Sequence, residues 1–185
     1  MVTQTGRSIV LIGMMGAGKS SVGHCLSRQT GLTLFDTDDM VKSKFGMSIP
    51  EIFSIHSENK FRKAETDALR KISSHECAII VTGGGIVLRE ENLNLLKRLG
   101  AVVWLKADEG TLFKRASRTG NRPLLQCKNP RDSFSQMLRA RLPLYAKVAD
   151  IRVDTSALTD DEVAVAILSK FKRYCRNSAP LPPDD

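Results

Sequence analysis

Ser8-Ile-Val-Leu-Ile-Gly13-Met-Met-Gly-Ala-Gly-Lys-Ser20 is the stretch that decides the reading of this chain. Ser8–Ile12 is apolar and β-branched, and it ends at a glycine, as a buried strand does. Lys19–Gln29 follows with helical spacing and Gly31 as its stop. Between strand and helix stands G-x-x-x-x-G-K-S. Gly13, Gly16 and Gly18 permit positive φ and close backbone approach, so successive amides can turn inward and cradle phosphate oxygens. The helix that follows points its N-terminal donors at the same anion. Lys19 is placed to reach the β and γ phosphates, and the Ser20 hydroxyl to ligate Mg²⁺. A glycine-rich turn with an exposed lysine is the bland alternative, and the strand before and helix after weigh against it.

Outward from that turn, short apolar strands alternate with helices. Strands are predicted at Leu32–Phe35, Cys77–Val81, Ala101–Leu105 and Ile151–Val153. Helices are predicted at Met40–Phe45, from Pro50 to Ser73, and at Glu90–Leu99, Glu109–Ala116, Arg131–Leu142 and Asp160–Tyr174. Trp104 is expected to pack against a helix. Arg118–Pro130 reads as a long polar loop and Ser178–Asp185 as a frayed tail. The pattern implies an α/β fold of three layers, α-β-α, with a five-stranded parallel sheet covered by helices on both faces. Ligands of such sheets gather at the carboxyl ends of the strands. Gly13, Asp36, Gly83 and Asp154 each follow a strand end, so they are expected to converge on one cleft.

Size and composition narrow the class. The 185 residues, 42% of them apolar, suit a single domain, here placed at 1–177 with a lid near 115–130. No run approaches the ~20 apolar residues of a membrane span, and the N-terminus lacks the apolar segment of a secretory signal. A cytoplasmic protein is expected. Cys25, Cys77, Cys127 and Cys175 lie far apart with no CxxC pair, which reads as ordinary reduced thiols. The net charge of +8 suits polyanions in general. Aromatic residues are few and unclustered, which argues against nucleic acid. A GTP-binding switch would need N-K-x-D, and the chain contains none.

Three further groups could carry chemistry. Asp36-Thr-Asp-Asp39 puts carboxylates at a strand end, where they could orient an acceptor hydroxyl, take its proton or hold a metal's water shell. The same residues could simply cap a helix. Asp38 is the favoured functional residue and Asp39 reads as solvated. Thr82-Gly83-Gly84-Gly85 costs entropy and packs nothing, so its use is to let backbone touch a ligand. Arginine forks at Arg62, Arg115, Arg118, Arg122, Arg139 and Arg141 could bind carboxylate or phosphate. Arg122 lies in a loop long enough to close over a nucleotide, whereas spacing alone leaves Arg62 on the surface.

Taken in order, the phosphate loop with Ser20, Asp36-Thr-Asp38, Phe61-Arg62, Gly83–Gly85, Arg122-Pro-Leu-Leu125 and Arg141-x-Pro-Leu-Tyr145 resemble the shikimate kinase family over residues 8–173. The resemblance implies a P-loop, nucleoside-monophosphate-kinase-like sheet of order 2-3-1-4-5, and transfer of the γ-phosphoryl of ATP to the 3-hydroxyl of shikimate. It implies Asp38, Lys19 and Arg122 as catalytic residues, and a metal site of Ser20 and Asp36 for Mg²⁺. ATP would be held by Gly13, Gly16, Ala17, Gly18, Lys19, Ser20, Ser21, Arg118 and Arg122. Shikimate would be held by Asp38, Arg62, Gly83, Gly84, Gly85 and Arg141, with the arginines clamping its carboxylate. The loop Asp154-Thr-Ser-Ala-Leu158 has neither the proline nor the arginine that many family members place against adenine. Partners are expected to be small molecules only, with no nucleic acid or membrane, and the chain a monomer. The nearest rivals are kinases of the same fold acting on gluconate or a nucleoside monophosphate.

Overall fold

The computed structural model describes residues 7–72, 77–118 and 128–177. Five parallel strands form one sheet in the order β2-β3-β1-β4-β5: β1 Ser8–Ile12, β2 Thr33–Asp36, β3 Ala78–Val81, β4 Gly100–Lys106 and β5 Ile151–Asp154. The expected class, order and all five strands are therefore present. Central β1 pairs Ile9 with Ile79 on one side and with Ala101 on the other. Buried on both faces, Ile9, Val10, Leu11 and Ile12 have no exposed surface, which is why this strand reads as a continuous apolar run rather than an alternation. A Leu11→Ala change there would cost about 2–5 kcal/mol, from lost transfer energy and the cavity left behind.

The helices are α1 Lys19–Thr30, α2 Thr37–Phe45, α3 Ile49–Ile55, α4 Glu58–Lys71, α5 Glu90–Leu99, α6 Glu109–Ser117, α7 Pro130–Val148 and α8 Asp160–Asn177, with a 3₁₀ turn at Ile86–Leu88. Two of them differ from the sequence pattern in ways that matter for the site. The single helix expected from Pro50 to Ser73 is two, because His56 is extended and the Ser57 side chain caps a new start by accepting from the Lys60 amide. The helix expected to stop at Leu142 runs on through Pro143 to Val148. Proline removes one backbone hydrogen bond there, but Phe134, Leu138, Arg141, Tyr145 and Val148 form a buried stripe at alternating spacings of four and three, and its burial holds the helix past the proline. Trp104 of β4 does lie against this helix, 5.8 Å from the Tyr145 ring.

A satellite core of Val41, Ile52, Phe61, Ala64 and Ala68 packs α2, α3 and α4 together beyond the sheet edge. Cys25 is buried, Cys77 and Cys175 are half-buried, and none of the three forms a disulfide among the described residues; Cys127 lies outside the described residues. No described helix is long and apolar enough to cross a membrane. The proposed tail Ser178–Asp185 and most of the lid also lie outside the described residues.

Candidate active site

A cleft of about 710 Å³ opens at the carboxyl ends of β1, β2 and β3, lined by the phosphate loop, Asp36, Asp38 and Thr82–Gly84. Gly16 (φ 84°) and Gly18 (φ 88°) are left-handed, the backbone state that L side chains resist and that turns the loop amides toward one point. Gly18 is also the N-cap of α1, so the helix begins where the loop ends. Lys19 is buried, and its Nζ donates to the carbonyls of Gly13 (2.8 Å) and Met14 (3.1 Å), which strap the ammonium across the loop. Gly16, Gly18, Lys19, Ser20 and Ser21 all line the cleft. Ala17 is buried, and its carbonyl accepts from Thr155 Oγ1 at 3.4 Å. A Cβ on Gly13 would run into the Leu105 carbonyl, so that glycine serves close approach.

Asp36 serves two elements at once. Its Oδ1 accepts from the Asp38 amide (2.9 Å) as the N-cap of α2, while Oδ2 accepts from Ser20 Oγ at 3.4 Å. Of the two alternatives the sequence offered, the structure shows the cap, and it leaves Oδ2 turned to Ser20. Burial pushes the Asp36 carboxyl up, and the Asp38 amide opposes that shift. Asp38 stands in the first turn of α2 and lines the cleft, whereas Asp39 is exposed and pairs with Lys42.

Behind the glycine strip, and outside the residues that line the cleft, α4 and α7 deliver two buried guanidiniums. Arg62, 8% exposed, is no surface residue: its Nη1 donates to Glu65 Oε2 at 2.7 Å and its Nη2 to Glu58 Oε1 at 2.9 Å. Arg141 is 5% exposed; its Nη1 meets Met14 Sδ and its Nη2 Met137 Sδ, each at 3.8 Å, and its guanidinium also lies within hydrogen-bonding reach of the Tyr145 hydroxyl. A buried cation held by thioethers and a phenol hydroxyl favours an anion. The three glycines are where these groups meet. A Cβ on Gly85 would strike the Arg62 guanidinium, one on Gly84 would come within 3.7 Å of Arg141 Nη1, and one on Gly83 would lie 2.7 Å from Asp38 Oδ1. Tyr145 Oη donates to the Gly84 carbonyl at 2.5 Å and anchors the strip; burial pushes its phenol up to about 12. Thr37 Oγ1 accepts from the Gly83 amide at 3.3 Å and ties the strip to α2.

Several expectations fall elsewhere. Asp154 is not in the cleft: its carboxylate accepts from the Ser156 amide and pairs with Lys106 at 3.5 Å. Arg118 ends α6 on the exposed surface, and it is Arg115, one turn earlier, that lines the cleft. Arg115 donates to Thr155 Oγ1 and the Thr155 carbonyl, and Leu158, 39% exposed, stands beside it on the same rim. Arg122 lies outside the described residues. Sequence reasoning missed Glu65, fully buried at Arg62 and pushed up to about 7, chiefly by burial. The available signal was an acid inside the apolar stripe Phe61, Ala64, Ala68 and Leu69, three residues after an arginine. A second groove, of about 690 Å³ and lined by His24, Phe35, Met40, Lys44 and Lys71 among others, shares only Asp36 with the cleft.

Comparison with known proteins agrees with this geometry. A family model described as shikimate kinase matches residues 15–172. A shikimate kinase of Thermodesulfovibrio yellowstonii is 42% identical over 167 residues, which is 90% of this chain and 96% of that protein. The solved shikimate kinase of Acinetobacter baumannii, in complex with shikimate, superposes with a TM-score of 0.86 at 35% identity, covering 90% of this chain and 93% of that one. The Aquifex aeolicus shikimate kinase gives 0.78 at 34% identity, covering 92% and 99%. With its phosphate loop, its strip of glycines and its paired guanidiniums in this arrangement, the chain belongs to the shikimate kinase family.

Proposed function

We propose that this chain transfers the γ-phosphoryl of ATP to the 3-hydroxyl of shikimate, giving shikimate 3-phosphate and ADP on the route to aromatic amino acids. The observation that carries the reading is the pair of buried guanidiniums, Arg62 and Arg141, at consecutive glycines beside a phosphate loop. A small hydroxy acid needs such a clamp at its carboxylate and an acceptor such as Asp38 at its hydroxyls.

In this reading the amides of Gly13–Lys19 and the Lys19 ammonium hold the triphosphate, Ser21 adds a hydroxyl at its edge, and Arg122 of the lid neutralises charge on the group in flight. The 3-hydroxyl oxygen bonds to the γ phosphorus as the bond to the β-bridging oxygen breaks, and Asp38 accepts the hydroxyl proton. The transition state is loose and anionic, so catalysis is mainly positioning and charge stabilisation. Ser20 Oγ and Asp36 Oδ2, 3.4 Å apart, are hard oxygen donors and fit Mg²⁺. Among the described residues no group of three or more His, Cys, Asp or Glu could hold a metal, and a magnesium bound through phosphates needs only one or two protein ligands. When bound, the ion would offset phosphate charge. In this reading Arg115, which lines the cleft, takes the nucleotide-side role that the resemblance gave to Arg118. The enzyme is proposed to be monomeric and cytoplasmic, acting on small molecules rather than nucleic acid or membrane.

An ADP-release assay with Mg²⁺ and ATP against shikimate, quinate, gluconate and nucleoside monophosphates tests the assignment. Turnover is expected with shikimate; turnover with gluconate or a nucleotide and none with shikimate overturns it.

A further inference from the structure

Glu65 is buried more deeply than a surface-facing ion pair requires, and only half of its carboxylate is used. Oε2 accepts from Arg62 at 2.7 Å, while Oε1 is buried with no hydrogen-bond partner among the described residues. Leaving such an acceptor bare costs about 1–3 kcal/mol, more for an ion. That oxygen is aimed at the substrate platform. A Cβ built on Gly83 would sit 2.6 Å from Glu65 Oε1 and 2.7 Å from Asp38 Oδ1, so the two oxygens face one point and are at most 5.3 Å apart.

The charges around Glu65 come from three elements and the platform. Arg62 shares its helix, with Glu58 on the guanidinium's outer side; Asp38 faces it from α2, and Arg141 and the Tyr145 phenol from α7. Around Glu65 the two guanidiniums face two carboxylates, its own and that of half-buried Asp38. A substrate carboxylate between the arginines makes three anions against two cations around a fully buried Glu65. Neutralising one carboxylate is then cheaper than holding three, and the fully buried Glu65 is the most costly to keep ionised. Its carboxyl already stands at about 7 for that reason.

We propose that Glu65 takes up a proton from solvent when the hydroxy-acid substrate binds, and that the new Oε1–H donates a hydrogen bond into the cleft while Oε2 keeps Arg62 in place. Glu65 is on this account a positioning residue, and the inference rests on the shikimate reading above. Substrate capture is linked to proton capture, with the sign fixed: the bound state holds the proton more tightly, so affinity falls as pH rises through the alkaline range.

Titration calorimetry of the full chain with shikimate, in buffers of differing ionisation enthalpy, reads the proton count directly. At pH 8 the wild-type chain is expected to take up about half to one proton per shikimate, and Glu65→Gln almost none. The wild-type uptake is expected to vanish near pH 5.5, where free Glu65 is already protonated, and the affinity above pH 8 to fall by up to about tenfold per pH unit, against a flat profile in the variant. Saturable binding with no buffer dependence at pH 8 overturns the linkage and leaves the substrate assignment standing. Uptake that persists in Glu65→Gln overturns the assignment to this residue. Should that variant fail to fold, wild-type uptake that does not decline between pH 8 and pH 5.5 has the same force. Absence of shikimate binding by the wild-type chain overturns the substrate reading and this proposal together.

Discussion

The two walls of the cleft are made in opposite ways. The phosphate wall is one contiguous turn, Gly13–Ser21, whose shape comes from left-handed glycines and a helix start. The proposed acceptor wall draws Asp38, Arg62, Glu65, Gly83–Gly85, Arg141 and Tyr145 from α2, α4, the end of β3 and α7, with Asp38, Gly83 and Gly84 lining the cleft and the others standing behind them. No local backbone preference could hold those groups together; buried charge pairs and the Tyr145–Gly84 hydrogen bond do. The first wall is therefore sensitive to a lost charge, the second to a lost partner.

Substitutions can separate the two. Lys19→Ala should lower kcat by at least about a hundredfold with any acceptor, since one preorganised charge on the phosphates is removed; steady-state kinetics across the acceptor panel measures it. Asp38→Asn should lower kcat with shikimate by about 10²–10⁴ while ATP affinity, followed by calorimetry, holds. Normal turnover in that variant would remove Asp38 from the proton's path. Arg141→Ala should raise KM for shikimate by about tenfold to a hundredfold, the worth of a charged hydrogen bond, with little change for ATP. Arg62→Ala should do the same and also cost about 3–5 kcal/mol of stability in denaturant titration, because Glu65 is left buried without its partner. Equal KM effects on both substrates would dissolve the distinction between the walls. Tyr145→Phe is the mildest, about 1 kcal/mol of stability with ATP use intact.

The same contrast governs what the sequence disclosed. The phosphate wall was legible because everything it needs is adjacent in the chain, and Asp36 and Asp38 share that advantage. Arg62 was not legible from spacing, since its burial comes from contacts distant in the chain, Gly85 among them; only the resemblance to a family assigned it to the substrate. Glu65 stayed hidden among apolar neighbours for the same reason. At Pro143 a correct local rule lost to tertiary burial, for Tyr145 and Val148 repay the missing hydrogen bond. At Ser57 the capping signal was present but the apolar pattern ran across it. Asp154 shows the limit of reasoning from strand ends: β5 lies at the sheet edge, and its terminal carboxylate turns to Lys106 instead.

Asp36 gives one side chain to two masters, the amide that starts α2 and the hydroxyl of Ser20. In the proposed site this side chain joins the triphosphate end to the helix that carries Asp38. Asparagine at this position could still begin the helix but would bring no negative charge to Ser20, so the joint would hold its shape while losing its message.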